Sequence, residues 1–453
     1  VARAGGADGM VTGGGTGAGR VRLTEGLCEV AELEHSLCLH YLYAAFSLKT
    51  RPEEGGIDEV QAELVREWKG QLLLLAREEM LHLGLALNLL AAVGGAAHLR
   101  RPNFPQPERY YPLGTVAALE PFSATSLERF LDYERPSAPR PAPEPGARSG
   151  PEAAEPAGRG PGTVGGRGPR TVGELYGRIR AAVLALEEKE LFIGSRYRQV
   201  DSAAVIDPEG VLDEDVTVGY GVEPFVIDDR ASALRAIDLI VEQGEGAEED
   251  REGSHYHRLL RIRAELDAEL ATAARTGRTF VPARPLLRNP VVRPVPDAEG
   301  TALISEPLAR EAAELFDDGY GLLVLMLLRF YSRVDEAPAE RRRIQRVAFF
   351  PLMTMFVRPL GEVLSELPAR AGNPPASAGP PFAFRRGLAL IPEARVAHQV
   401  FAERLAGLAV RSRRLARRMR TAHVPDRLQH RTDLLAKDVA RMSRSFAGEA
   451  VRP

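Results

Sequence analysis

Thiols, tryptophan and long apolar runs are all scarce in this chain of 453 residues. The two cysteines, Cys28 and Cys38, fall ten residues apart on what reads as one helix. They cannot bridge from there, which excludes a disulfide scaffold and fits a reducing cytoplasm. No uninterrupted apolar run approaches the ~20 residues needed to cross a bilayer. The nearest, Gly321 to Leu328, is cut off by Arg329, so no membrane is expected. A large charge of one sign is also missing: the formal net charge is −3 and the pI about 6.4, which gives no pull toward nucleic acid. The Gly-rich stretch Val1 to Arg20 lacks the apolar block of a signal peptide and is expected to be a disordered leader, with Met10 as an alternative start. What the chain does have is a 44% hydrophobic and 27% charged composition, enough to bury a substantial core and to form two domains.

Apolar residues recurring every three or four positions predict an all-α protein. Helix one runs from Val21 through Leu48, and helix two from about Asp58 to Val93, stopped by Gly94-Gly95. The breaker Arg51 to Gly56 between them makes an antiparallel pair. A Pro-punctuated connection and a short helical piece, Leu127 to Tyr133, follow. Residues 136–170 lose almost all large apolar side chains and are expected to be a disordered insertion. Helical pattern resumes behind Thr171, a candidate N-cap, through Leu191, and again over Ala231 to Gln243 and Ser254 to Ala273. Four long helices in two pairs joined by one long connection resemble a ferritin-like bundle over residues 21–275. More helix, including Glu306 to Tyr331, Glu340 to Leu367 and Arg395 to Met419, predicts a helical domain or extension over 300–450.

Acids and histidines on apolar helical faces are the chemical anomaly, because a buried carboxylate is costly unless it is paired or binds a metal. Glu34 sits among Val30, Ala31, Leu37, Cys38 and Tyr41 at helical spacing and points into a core. Glu79 and His82 stand three apart among Leu72, Leu75, Ala76, Leu83 and Ala86. This Glu-x-x-His arrangement is the one that two-metal carboxylate bundles use. Glu78 stands four residues before His82, so periodicity alone leaves the choice between Glu78 and Glu79 open. The plain readings elsewhere are packing for Tyr41 and Tyr43, core or outer-shell roles for His35 and His40, a surface place for His257 and a solvated face for Arg411 to Arg420.

Several segments carry a family resemblance: Leu33-Glu34-His35, Tyr41 to Leu48, Ala76 to Leu83 followed by Asn88-Leu-Leu, Arg101-Pro-Asn-Phe-Pro105, Ile240 to Gly246 and Ser254-His-Tyr256. Together they resemble the ferritin-like domain of the iminophenyl-pyruvate dimer synthase family, which includes enzymes of violacein and rebeccamycin biosynthesis. The resemblance covers about Arg22 to Leu266, and Ala378-Gly-Pro-Pro-Phe382 resembles a later family segment. It implies Glu34, Glu79 and His82 as metal ligands, Glu242 as a ligand from a fourth helix and His255 as the last imidazole, with Glu245 as a substitute. For helix three it implies Glu174, with Glu187 as its structural rival.

The implied cofactor is a di-iron centre, with manganese as the alternative, since mixed carboxylate and imidazole donors suit both. The implied activity is an oxygen-dependent oxidase or oxygenase acting on a small amino-acid-derived substrate in secondary metabolism. A homodimer or a biosynthetic partner enzyme is the expected companion. The chain is too short to hold the additional regions of the large dimer synthases, so their coupling reaction is not carried over. The competing readings are an iron-binding accessory or storage-like bundle without turnover, and a metal-free scaffold in which arginines pair with the acids.

Overall fold

Two long helices lay down the frame in a computed structural model that describes residues 14–107, 116–136, 171–200, 224–245, 252–294, 299–332, 335–370 and 376–450. Helix α1 spans Gly14–Ser47 and α2 spans Glu59–Ala92. Asp58 fixes where α2 starts: its carboxylate accepts from Gln61 N at 2.9 Å while the Gln61 side chain accepts from Asp58 N at 2.9 Å. The disorder expected over residues 1–20 does not hold for residues 14–20. Residues 14–20 already belong to α1, where the Arg20 guanidinium donates to the carbonyl of Glu190 and Leu23 begins the buried stripe. Residues 1–13, and 137–170 of the expected insertion, lie outside the described residues.

Among the described residues, four further helices of more than ten residues belong to the N-terminal unit: α3 (Ala124–Glu134), α4 (Val172–Ala185), α5 (Arg230–Glu245) and α6 (His255–Thr276). Named contacts define how they pack. α6 runs antiparallel to α2, with the Trp68 indole donating to Glu265 at 2.7 Å and the Gln61 amide to Glu269 at 2.6 Å. α3 runs antiparallel to α1, with Phe130 edge-on to Tyr41 at 5.0 Å and Phe122 N donating to Ser47 Oγ at 2.8 Å. Both pairs, α3 with α6 and α4 with α5, thus pack on the α1–α2 hairpin. The helices expected at 171–191 and 231–243 do pack on α1 and α2 as a pair, while α3 and α6 pack there as a second pair and bring further acid and imidazole side chains. α4 also ends early, at Ala185, where Leu186 turns to extended backbone.

The C-terminal region is helical as expected. It comprises α7 (Pro307–Ser332), a long element built from α8 (Pro338–Val347), a π-helical segment (Ala348–Val357) and α9 (Arg358–Leu364), then α10 (Ala394–Thr421) and α11 (Asp426–Ala450). Pro351 lies inside the π segment, where its missing N–H and ring bulk explain why one regular helix over 340–367 is not formed. The composite element Pro338–Leu364 is, by length and composition, long and apolar enough to cross a membrane, yet 56% of its apolar window is buried inside this fold. The sheet content of the described residues is a two-residue parallel pairing, Pro290–Val291 with Ala302–Leu303.

Close approach locks the two regions together. Gly361 on α9 lies so near the Phe46 ring of α1 that a Cβ would collide with it, and Gly379, at φ +76°, is pressed against Tyr43. Arg101 reaches across to donate to the Phe382 carbonyl at 2.7 Å and to Tyr320 Oη at 3.3 Å. Arg329, which interrupts the apolar run of α7, is itself 1% exposed. It is held by Asp335, Glu336 and the carbonyls of Ile391 and Pro392.

Candidate metal centre

Where α1, α2, α3 and α6 cross, five ionisable side chains meet with no water-facing surface. Glu34, Glu79, His82, Glu134 and His255 are each at most 3% exposed. They form two overlapping clusters, Glu34–Glu79–His82 and Glu79–Glu134–His255, in each of which the donor atoms lie within 4.8 Å of one another. Glu79 belongs to both. Its Oε2 lies 3.1 Å from His82 Nδ1 and its Oε1 lies 2.9 Å from His255 Nδ1. Glu34 closes one side, 3.7 Å from His82 Nδ1, and Glu134 the other, 3.5 Å from His255 Nδ1.

Outer partners hold each member in place. Tyr176 on α4 donates to Glu34 Oε1 at 2.7 Å, and Tyr41 on α1 donates to Glu134 Oε1 at 2.5 Å. The far nitrogen of His82, Nε2, meets Gln243 Oε1 at 2.7 Å, and that of His255 lies 3.3 Å from Glu78, which Arg258 grips in turn. Both imidazoles therefore turn Nδ1 toward the carboxylates, and the His82 ring is anchored behind through Nε2, the second-layer pattern that fixes ring orientation and tautomer in metal-binding histidines. Gly244 lets α5 come near: a Cβ there would sit 3.1 Å from Glu134 Oε2.

The electrostatics of the bare residues are those of acids sharing too little positive charge. Burial, then the neighbouring Glu79 charge, push Glu34 up to about 8. Burial also works upward on Glu79, but the His255 and His82 imidazoles outweigh it and hold that carboxyl well below its usual range. Burial would lower His82, yet Glu79 and Glu34 raise it to about 10; Glu79 and Glu134 hold His255 well above its ordinary value. Glu34 Oε2, Glu79 Oε1 and both His255 nitrogens are buried without a partner in hydrogen-bond geometry, although Glu79 Oε1 and His255 Nδ1 are only 2.9 Å apart. Atoms at that distance but pointing past one another fit donors converging on a cation. Three carboxylates and two imidazoles without thiolate suit iron or manganese better than a structural zinc.

The structure thus brings Glu34, Glu79, His82 and His255 together and chooses Glu79 over Glu78 for the middle. It does not bring in the other expected residues. Glu174 is exposed in the first turn of α4 because the buried stripe of that helix runs through Leu175, Tyr176 and Ile179. Glu187 is exposed beyond the end of the same helix. Glu242 is exposed on α5, and the next residue, Gln243, turned by 100° about the axis, is the one that faces the site. The Glu245 side chain lies outside the described residues. Glu134 was not anticipated from the sequence. Its signal is present all the same: Leu127, Phe130 and Glu134 fall at i, i+3 and i+7, which sets an acid on an apolar stripe as at Glu34. His35, by contrast, is a packing residue bonded to the Leu99 carbonyl and to Tyr320 Oη.

A family model described as Ferritin-like matches residues 27–264, a span that holds all five centre residues. Dichlorochromopyrrolate synthase of Lentzea aerocolonigenes is 31% identical over 445 residues, covering 93% of this chain and 41% of that protein. The 2-imino-3-(indol-3-yl)propanoate dimerase of Chromobacterium violaceum is 30% identical over 381 residues, covering 80% of this chain and 34% of that protein. The chain therefore spans less than half the length of these relatives, which match the kinship the sequence motifs pointed to. A ferritin like protein of Caulobacter vibrioides, known from a crystal structure, is 20% identical and covers 76% of this chain and 94% of its own, with a TM-score of 0.41.

Proposed function

Because the chain belongs to the ferritin-like family, we propose that its buried carboxylate–imidazole layer holds two iron ions and that the protein is an oxygen-dependent oxidoreductase of secondary-metabolite biosynthesis, acting on a small amino-acid-derived substrate. The observation that carries this reading is the placement of Glu79, whose two oxygens face different imidazoles and so are arranged to be shared between two ions. Glu34 with His82, and Glu134 with His255, would complete one ion each. The similar proteins are named as a synthase and a dimerase, which supports an enzyme over a store.

The chain's own residues do definable work. Gln243 accepts from His82 Nε2 and so leaves its Nδ1 lone pair free to ligate, and Glu78, 3.3 Å from His255 Nε2, sets a negative charge behind that ring. Tyr176 occupies Glu34 Oε1 and leaves Oε2 toward His82, while Tyr41 donates to Glu134 Oε1, the same oxygen that faces His255. The walls of Val30, Leu37, Leu72, Leu75 and Ala86 keep water out, so each charge acts at full strength. When bound, iron supplies the electrons for reducing dioxygen; orientation and exclusion are left to the protein.

The test is metal content and oxygen consumption on one anaerobically purified sample, wild type beside Glu79→Ala. About two irons per chain, with oxygen uptake lost in the variant, is the expected result. Bound iron without oxygen uptake in the wild type would move the protein to a storage or accessory role, and absence of bound metal would sink the centre.

A further inference from the structure

A second site lies in the C-terminal region, among residues that share nothing with the metal centre. α7, α10 and the turn at 385–388 enclose a cleft of about 300 Å³. Its walls include three glycines, Gly321, Gly387 and Gly407, and at each of them an added Cβ would meet nothing within 4 Å. Gly321 and Gly407 sit deep inside helices, where glycine is less stable than alanine. Packing accounts for the neighbouring Gly319, whose Cβ would strike the Phe356 ring, but it does not account for these two. They keep a space open.

The charged groups around that space are unevenly satisfied. Asp318 is held by Arg385 and Arg411. Arg386 and Arg404, both exposed, have no acidic partner among the described residues. Asp317, also in the wall, is 2% exposed; its Oδ1 accepts from Ala383 N at 3.1 Å while its Oδ2 is buried with no partner. Leu325, Leu388 and Leu408 supply the apolar part of the lining.

We propose that this cleft binds a free α-amino acid with an apolar side chain: its carboxylate on Arg386 and Arg404, its ammonium on Asp317, its side chain against the three leucines. A phosphate or a simple dianion suits the cleft less well, because it would leave the unpartnered Asp317 oxygen without a donor. An amine alone would leave both guanidinium groups unanswered. The volume falls at the small end of the range for ligand sites. The inference is independent of the metal centre.

The test is calorimetric titration of the full chain with L-leucine and L-phenylalanine, beside 3-phenylpropionate and phenethylamine, which each lack one of the two charges. Saturable binding of an amino acid at one equivalent is expected, with each single-charge analogue at least tenfold weaker. Arg404→Ala, on an exposed side chain, and Gly407→Leu, which fills the cleft, should each weaken amino-acid binding tenfold or more. If Gly407→Leu proves misfolded by circular dichroism, Arg404→Ala decides alone. The proposal is overturned if neither amino acid binds, if the deaminated analogue binds as well as phenylalanine, or if binding survives Arg404→Ala unchanged.

Discussion

Removing one hydroxyl at a time should pull the two halves of the metal centre apart. Tyr41 donates only to Glu134 and Tyr176 only to Glu34 among the centre carboxylates, and both side chains are fully buried. Tyr41→Phe keeps the ring, and with it the edge contact to Phe130, and deletes the bond that orients Glu134. Loss of an outer partner of a metal ligand typically weakens binding 10- to 100-fold, or about 1.4 to 2.7 kcal/mol. Anaerobic titration with ferrous or cobaltous ion should therefore show two equivalents, of which one weakens by that factor in Tyr41→Phe and the other in Tyr176→Phe. Each variant should leave the second equivalent near its wild-type affinity, because the removed hydroxyl touches a carboxylate of one cluster only. Equal weakening of both equivalents by either variant, or no change in either, would refute the assignment of one tyrosine to each half.

Glu134→Ala should reduce iron content from about two to about one per chain by elemental analysis, while Glu174→Ala and Glu242→Ala, on exposed side chains, leave it unchanged. In the ligand-free chain Asp317, pushed up to about 8 by burial, carries a proton that a bound ammonium would displace and that the unfolded chain gives up near its ordinary 3.8. Its contribution is therefore fully present below about pH 4 and is lost as pH rises toward 8, at up to about 1.4 kcal/mol per pH unit. Asp317→Asn removes that slope, so melting curves at pH 5 and pH 8 should show the variant gaining on wild type at the higher pH; an equal difference at both would count against it. Gly319→Ala should destabilise by about 1–3 kcal/mol in denaturant titrations as its Cβ overpacks the Phe356 ring, whereas Gly321→Ala, with open space beside it, should gain about 0.5–1 kcal/mol. An equal effect of the two would contradict the packing described.

Glu34, Glu79 and His82 can be read from the sequence because the whole argument is local: an acid or imidazole recurs on a strongly apolar helical face within one hairpin. The choice of Glu79 over Glu78 is not local. It is made by α6, which turns His255 Nδ1 to Glu79 and sets Arg258 and the far side of the same ring against Glu78. Glu242 and Gln243 defeat periodicity for a related reason: adjacent positions differ by a rotation that only the docking of α5 resolves. Glu134 is harder, since it ends a helix of eleven residues, and sequence weight goes to the longer pattern after Thr171. Yet an acid in the last turn opposes the helix dipole, and with Leu127 and Phe130 on the same stripe that cost marks a residue held for another purpose. The helical extension is legible as helices; its anchoring through Arg101, Gly361 and Gly379 is not, because those contacts join distant parts of the chain.

The shared position of Glu79 also bears on the order in which the molecule is assembled. Glu34 and Glu79 lie 45 residues apart across a single hairpin, whereas Glu79 and His255 are separated by 176. Contacts of short sequence separation form early, and distant ones wait for loop closure. One cluster is thus complete as soon as α1 and α2 pair, while the other exists only after α3 and α6 have docked. Occupation of that later half by a cation would stabilise the closed arrangement over every partly folded one. A second ion would act as a clasp on the tertiary structure, and chelation should then loosen α3 and α6 before it loosens the hairpin.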